Sequence, residues 1–487
     1  MRASISVRPL LTRTPSSKKK MISRMPAFLP SLQRLAIGAR AHLTPMPRQN
    51  SIEKAASSRS LPVRRVRSRV AALTLSLGLS TMGLSSVVQA ETKLTMYYPI
   101  SVGGPLTKVM DGLIADFEKQ HPDIVVQAIY AGDYDQTRVR AVSASHSRDG
   151  ASGQIAVLGA LDTWDLIDHD LIVPFDQAAG SDGAWLKAFY PALLANSDVA
   201  SHVWGVPFQR STIVLYYNKA MFKAAGLDPE QPPKTWDAML ADAKKLTNAD
   251  HYGVMIPSGG FPYWMFQALA IENGVTLMSD DGTHVAFNSA AAVQALTYWV
   301  SLAKEAKVSP QGVIDWSTLR QAFVQGKTAM MWHTTGNLTA VKHDAGFDFG
   351  VAMLPANKRA GSPTGGGNFY LFKGANAEQQ KGALTFIRWM TAPEQAAQWS
   401  IATGYVGTGE AAYQTQALRD YGRSFPQAMV ARDQLKVAVP ELSTHDSARV
   451  REALNNALQS AITGTATPQQ ALDKAQATAD RILARYR

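Results

Sequence analysis

Cysteine is absent from this 487-residue chain, which removes disulfides, thiol nucleophiles and Cys-ligated metal sites together. The ten histidines are scattered, and none pairs with another at metal-ligand spacing. No Gly-x-Ser-x-Gly elbow, complete Gly-x-x-x-x-Gly-Lys-Ser/Thr phosphate loop or His-Glu-x-x-His pair occurs. These absences put binding ahead of catalysis, and no cofactor, metal or enzymatic activity is expected. A secreted glycoside or phosphoester hydrolase stays open as a rival, because carboxylate pairs need no local motif.

Acidic residues are also nearly missing from the first 90 positions, where Glu53 stands alone against 16 Lys and Arg. Of the chain's 49 bases and 38 acids, the rest therefore holds 33 and 37, a net of −4. The basic charge belongs to the front of the chain, so it gives no argument for nucleic acid. That front ends as an export signal does. Arg64, Arg65, Arg67 and Arg69 precede the short apolar run Val70 to Leu84, and small residues lead to Ala90 and Glu91. Residues 1–90 are expected to be a disordered leader plus signal peptide, cleaved near Ala90/Glu91, with the protein exported to the periplasm.

The body opens with strand, helix, strand. Lys93 to Tyr98 and Ile124 to Tyr130 are β-rich, and between them Leu106, Val109, Met110, Leu113, Ile114 and Phe117 share one helical face. Such a βαβ start predicts an α/β fold with ligands at the carboxyl ends of strands. Val206 to Tyr217 predicts a buried strand, in which one of Tyr216 and Tyr217 is core. Gly226 closes a short helix, three prolines fill the connector after it, and Thr235 caps a helix that starts at Trp236. Further on, Gly259 to Trp264 reads as an aromatic loop, and Gly365-Gly366-Gly367 as a loop before a strand over Asn368 to Phe372. Thr467 with Pro468 marks the last helix start.

The run Leu-Tyr-Tyr-Asn-Lys at 215–219, followed by Ala-Gly-Leu-Asp-Pro-Glu-Gln-Pro-Pro-Lys-Thr-Trp at 225–236, resembles the bacterial extracellular solute-binding proteins. Within them it is similar to the periplasmic binders of sn-glycerol 3-phosphate that serve ABC importers. The resemblance implies a type II periplasmic-binding-protein fold, α/β, with two discontinuous lobes and the ligand in the cleft between them. The expected division is 91–203 with 346–404 for the N-terminal lobe, and 204–345 with 405–487 for the C-terminal one. It implies a monomeric binding protein whose partners are a small molecule and permease subunits. The ligand is sn-glycerol 3-phosphate or a glycerophosphodiester, with a carbohydrate as the alternative.

Carried over residue by residue, the family's ligand positions fall on Tyr134, Ser211, Thr334, Gly366, Tyr405 and Arg451. Trp236 joins them as an aromatic candidate, and Asp162 and Trp264 are secondary. A phosphate monoester offers acceptor oxygens, which suits an arginine fork, hydroxyls and a glycine N–H. Where the family has glutamate after the third strand, this chain has Ala160, so Asp162 or Asp165 would have to supply a carboxylate. Trp236 or Trp264 facing the cleft would suit a glycerol backbone or a quaternary ammonium. Arg210 is either a solvated neighbour of Ser211 or a second phosphate contact. Trp164, Trp236, Trp264 and Trp332 keep the sugar reading open.

Overall fold

Two long strands, Val206–Asn218 and Ser362–Phe372, run antiparallel side by side and tie the molecule together. The structure is a computed structural model that describes residues 91–146 and 153–487. The expected leader and cleavage site lie outside the described residues.

On one side of this pair, Ser362–Phe372 continues antiparallel onto Ile155–Gly159, and Thr92–Tyr98 and Ile124–Tyr130 follow in parallel register. On the other side, Val206–Asn218 pairs antiparallel with Thr328–Thr334, which lies parallel to Tyr252–Met255. Each half has its own core, which makes the fold two-lobed α/β. The first lobe packs Leu94, Met96 and Tyr98, alternate residues of one strand, against Met110, Leu113 and Phe117 of the Leu106–Gln120 helix. Each such side chain taken fully from water contributes about 1.5–3 kcal/mol.

All 13 residues of Val206–Asn218 are buried, and side-chain alternation sends them to different cores. Val206 and Phe208 join the first lobe. Ile213, Leu215 and Tyr217 join the large second-lobe core, and Val214 and Tyr216 a third cluster with Phe323 and Phe349. Both tyrosines are therefore core, one in each cluster. The Tyr216 hydroxyl donates to the Thr334 carbonyl at 2.8 Å and that of Tyr217 to Pro229 at 2.9 Å.

Two expectations are corrected. Gly365 to Gly367 lie inside the Ser362–Phe372 strand, whose register slips between Gly367 and Asn368 opposite Gln209 and Pro207. Pro207 has no N–H for the ladder, so a bulge falls at this place. The aromatic stretch at 259–264 is not all loop, since Pro262 is the first residue of a helix, Pro262–Glu272, buried at every position. Apolar residues all round leave it no helical periodicity to read. Phe349–Ala352 pairs with the second half of Val206–Asn218, and Leu354 packs in the second-lobe core. Val406, Ala412 and Leu418 pack on Leu193, Ala396 and Ala397.

The fold generates one stability prediction. Gly366 has φ +91°, and a Cβ there would lie 1.8 Å from the Gln209 carbonyl oxygen. Gly366→Ala should destabilise the protein by about 1–3 kcal/mol or more, read as a lowered urea midpoint.

Candidate functional site

The carboxyl ends of the three parallel strands meet the second lobe around a cavity of about 660 Å³ of space not filled by protein atoms, open solvent at its mouth included. From the first lobe come Ser101 and Val102 after Thr92–Tyr98, Tyr134 and Asp135 after Ile124–Tyr130, and Leu161 and Asp162 after Ile155–Gly159. This is where an open α/β sheet presents its loops to a ligand. Ser211, Gly366 and Tyr405 contribute from the crossing segments.

The second lobe supplies an aromatic wall. Phe261, Tyr263 and Trp264 sit at the start of Pro262–Glu272, and Trp316 begins the helix Trp316–Val324. Phe261 meets Trp316 edge-on with ring centroids 4.9 Å apart, and Trp264 lies 6.1 Å from Trp316. The Trp264 indole donates to the Thr364 carbonyl at 3.0 Å. A Cβ at Gly365 would come within 2.4 Å of that ring, so glycine is what lets the indole lie against the strand. The Trp316 indole donates to Ser101 at 3.0 Å, joining the lobes.

Arg451 and Asn455 are one turn apart on the helix Ser447–Thr463 and face the same cavity. Arg451 Nη2 donates to Asp135 at 2.6 Å, and its guanidinium lies 5.5 Å from the centre of the Tyr263 ring. Its side chain is 11% exposed, whereas that of Asp135 is 65% exposed.

Two further carboxylates face the cavity. Asp162 lies 3.9 Å from Arg451 and 3.8 Å from Arg138, and its buried Oδ1 has no hydrogen-bond partner. Burial pushes its pKa up to about 7 against the pull of Arg451 and Arg138. Glu441 accepts a hydrogen bond from the Tyr263 hydroxyl at 2.8 Å. Burial raises its pKa to about 7 too, with Arg210, Tyr263 and Arg451 opposing. Tyr134 donates to Gln209 at 3.3 Å, and desolvation raises its pKa well above the usual value, so its phenol stays protonated. The lining thus combines one cation, donor hydroxyls, three acids, two of them poised near neutrality, and six aromatic rings.

Tyr134, Asp162, Ser211, Trp264, Thr334, Gly366, Tyr405 and Arg451 all line this cavity. Trp236 does not. It is 3% exposed in the second-lobe core, stacked on Tyr298 at 4.3 Å, and its indole donates to buried Glu272 at 2.6 Å. Ala160 is fully buried, and the carboxylate at the cavity comes from Asp162. Asp165 has another task, accepting from the Ser447 amide at 2.8 Å. It thereby caps a helix whose own preceding residue, Asp446, makes no side-chain cap bond. Trp164 lies against His445 and Trp332 is core. Phe261, Tyr263, Trp316, Glu441 and Asn455 were not singled out from sequence. Asn455 lies four residues beyond Arg451, on the same face of its helix, whereas Glu441 has no local signal.

Residues 112–426 match the model of a family described as bacterial extracellular solute-binding protein. The chain belongs to that family. Among curated relatives, the sn-glycerol-3-phosphate-binding periplasmic protein UgpB of Pectobacterium atrosepticum is 30% identical over 86% of this chain and 96% of its own. UgpB of Yersinia pseudotuberculosis is 29% identical over 83% of this chain and 95% of its own. Among solved structures, UgpB of Mycobacterium tuberculosis in complex with glycerophosphocholine superimposes with a TM-score of 0.72 at 25% identity, covering 80% of this chain and 98% of that one. For a solute-binding protein, a cleft lined from both lobes is the expected binding place.

Two outcomes test this geometry. Trp236→Phe keeps the ring but strands the Glu272 carboxyl, so stability should fall by about 1–3 kcal/mol with ligand affinity unchanged. The second concerns pH. The folded-state pKa of Asp162 lies above the 3.8 of an exposed aspartate, so the folded protein keeps a proton that the unfolded chain loses. Stability should therefore decline as pH rises from about 4 to about 7 and level off above. Asp162→Asn should remove on the order of 2–4 kcal/mol of that decline, measured by urea melts at about pH 5 and about pH 8.

Proposed function

We propose that the protein is the periplasmic solute-binding component of an ABC importer, capturing sn-glycerol 3-phosphate or a glycerophosphodiester and delivering it to the permease. In this reading it binds its ligand without turnover, as an exported monomer. The observation that carries the reading is Arg451, a nearly buried arginine fork among donor hydroxyls in the cleft. A guanidinium fits two phosphate oxygens at once, and its position largely out of water strengthens the pairing.

The charge balance favours a diester over the monoester. Asp135, Asp162 and Glu441 surround the cavity with Arg451. A phosphomonoester dianion is repelled by these acids more than a diester monoanion is. A diester also carries a head group, and the wall of Phe261, Tyr263, Trp264 and Trp316 suits a cationic one, with Asp162 and Glu441 as counter-charges. The same rings and acids are what a sugar would use, which makes a carbohydrate the second reading. A neutral sugar has no need of Arg451.

Arg451 is thus the discriminating substitution. With a glycerophosphodiester, Arg451→Ala should weaken binding by about 2–5 kcal/mol, roughly thirty- to several-thousand-fold, and Arg451→Lys by less. Wild-type affinity in Arg451→Ala would exclude a phosphate at this position. Asp135→Asn removes an exposed competitor for the same fork and should tighten binding by about 0.2–1 kcal/mol, read by calorimetry.

A further inference from the structure

Arg210 precedes cavity-lining Ser211 on the crossing strand and is 0% exposed. Its Nη1 donates to the Gly366 carbonyl at 3.2 Å and its Nη2 to the Thr364 hydroxyl at 3.0 Å. Both acceptors are neutral, and Nε, also buried, has none. The residues whose charge acts on it are Glu441, Tyr370 and Tyr134, of which Glu441 and Tyr134 line the cavity. A cation taken wholly out of water without a bonded carboxylate is unfavourable, and burial lowers its pKa. Such a group persists where it performs a task at a site.

The backbone at Gly366 shows what the task is. Gly366 lines the cavity in a left-handed conformation, φ +91°, directly opposite Arg210 in the strand pairing. By bonding the Gly366 carbonyl and the Thr364 hydroxyl, Arg210 fixes the strand segment that borders the cavity. Its charge then acts on the cavity through one layer of backbone, in a medium that screens poorly.

We propose that Arg210 is a specificity-determining residue of the cleft, a positioning group that pins the strand at Gly366 and supplies a second positive charge behind it. The ligand it selects is anionic, and the inference rests on the phosphate reading above. Neutralisation of Arg210 comes from the bound anion together with Glu441. Glu441 is in turn held toward its ionised form chiefly by Arg210.

The experiment compares wild type with Arg210→Lys and Arg210→Gln in two measurements. One is calorimetric titration with glycerophosphocholine; the other is NMR titration of the Glu441 carboxyl without ligand. Arg210→Gln should weaken binding at least tenfold, and Lys should restore much of the loss. In the second measurement, the Glu441 titration should move to higher pH in the Gln variant and return in the Lys variant. Equal affinity in wild type and Gln, or a Glu441 titration that Gln leaves in place, would overturn the proposal. If wild type fails to bind glycerophosphocholine, the phosphate reading falls, and the Glu441 titration alone decides whether the Arg210 charge reaches the cavity. Should Arg210→Gln not fold, Arg210→Gln/Glu441→Gln measured against Glu441→Gln replaces it. A tenfold affinity loss in the double variant supports the role, and no loss overturns it.

Discussion

Charge buried between two apolar lobes is the constraint on which the rest of the structure depends. Asp162, Arg210 and Glu441 are almost wholly removed from water, and Arg451 nearly so. Charges in such a place are costly unless they are paired or turned to use. The fold meets the cost with local devices. Tyr263 donates to Glu441, Arg451 reaches Asp135, and the Gly366 carbonyl accepts from Arg210. The bulge opposite Pro207 and the positive φ of Gly366 are the backbone features that let the two crossing strands carry such polar residues. Away from the cavity, Ile213 to Tyr217 and Phe369 to Phe372 are apolar and feed the cores.

The lobes touch through a small number of specific contacts. Trp316 donates to Ser101, the Gly103 amide donates to Asn337 at 2.9 Å, and Asp135 joins Arg451. On another side, Asp165 caps Ser447–Thr463, and His445 pairs with Asp168 at 2.8 Å. Polar contacts of this kind, unlike a continuous core, allow domain opening and closing at modest cost. A ligand held by residues from both lobes shifts such an equilibrium by its differential affinity for the closed form.

Much of the fold is legible in the sequence, for reasons particular to each element. Val206–Asn218 is dense in β-branched and aromatic residues, Leu106–Gln120 has a clean apolar stripe, and Thr235 and Thr467 cap helices as their hydroxyls predict. Pro262–Glu272 is hidden by its uniform apolarity, and the strand through Gly365–Gly367 by glycines that are normally rare in strands. The site is a different matter. Asp135 and Arg451 bond across 316 positions of chain, and no local pattern foretells that. The candidates that line the cavity came from family likeness, with their chemistry as support. Trp236 illustrates the limit, since tryptophan after a helix cap suits a core staple or a ligand wall equally, and only packing decides. Trp316 and Glu441 needed the three-dimensional arrangement.

The central claim is that the cleft binds a glycerophosphate, and a diester in preference to the monoester. Calorimetric titration of the purified protein with glycerophosphocholine, sn-glycerol 3-phosphate and maltose tests it most directly. The account predicts saturable binding of the diester, weaker binding of the monoester and no binding heat with maltose. Saturable binding of maltose with neither phosphate compound bound would contradict it.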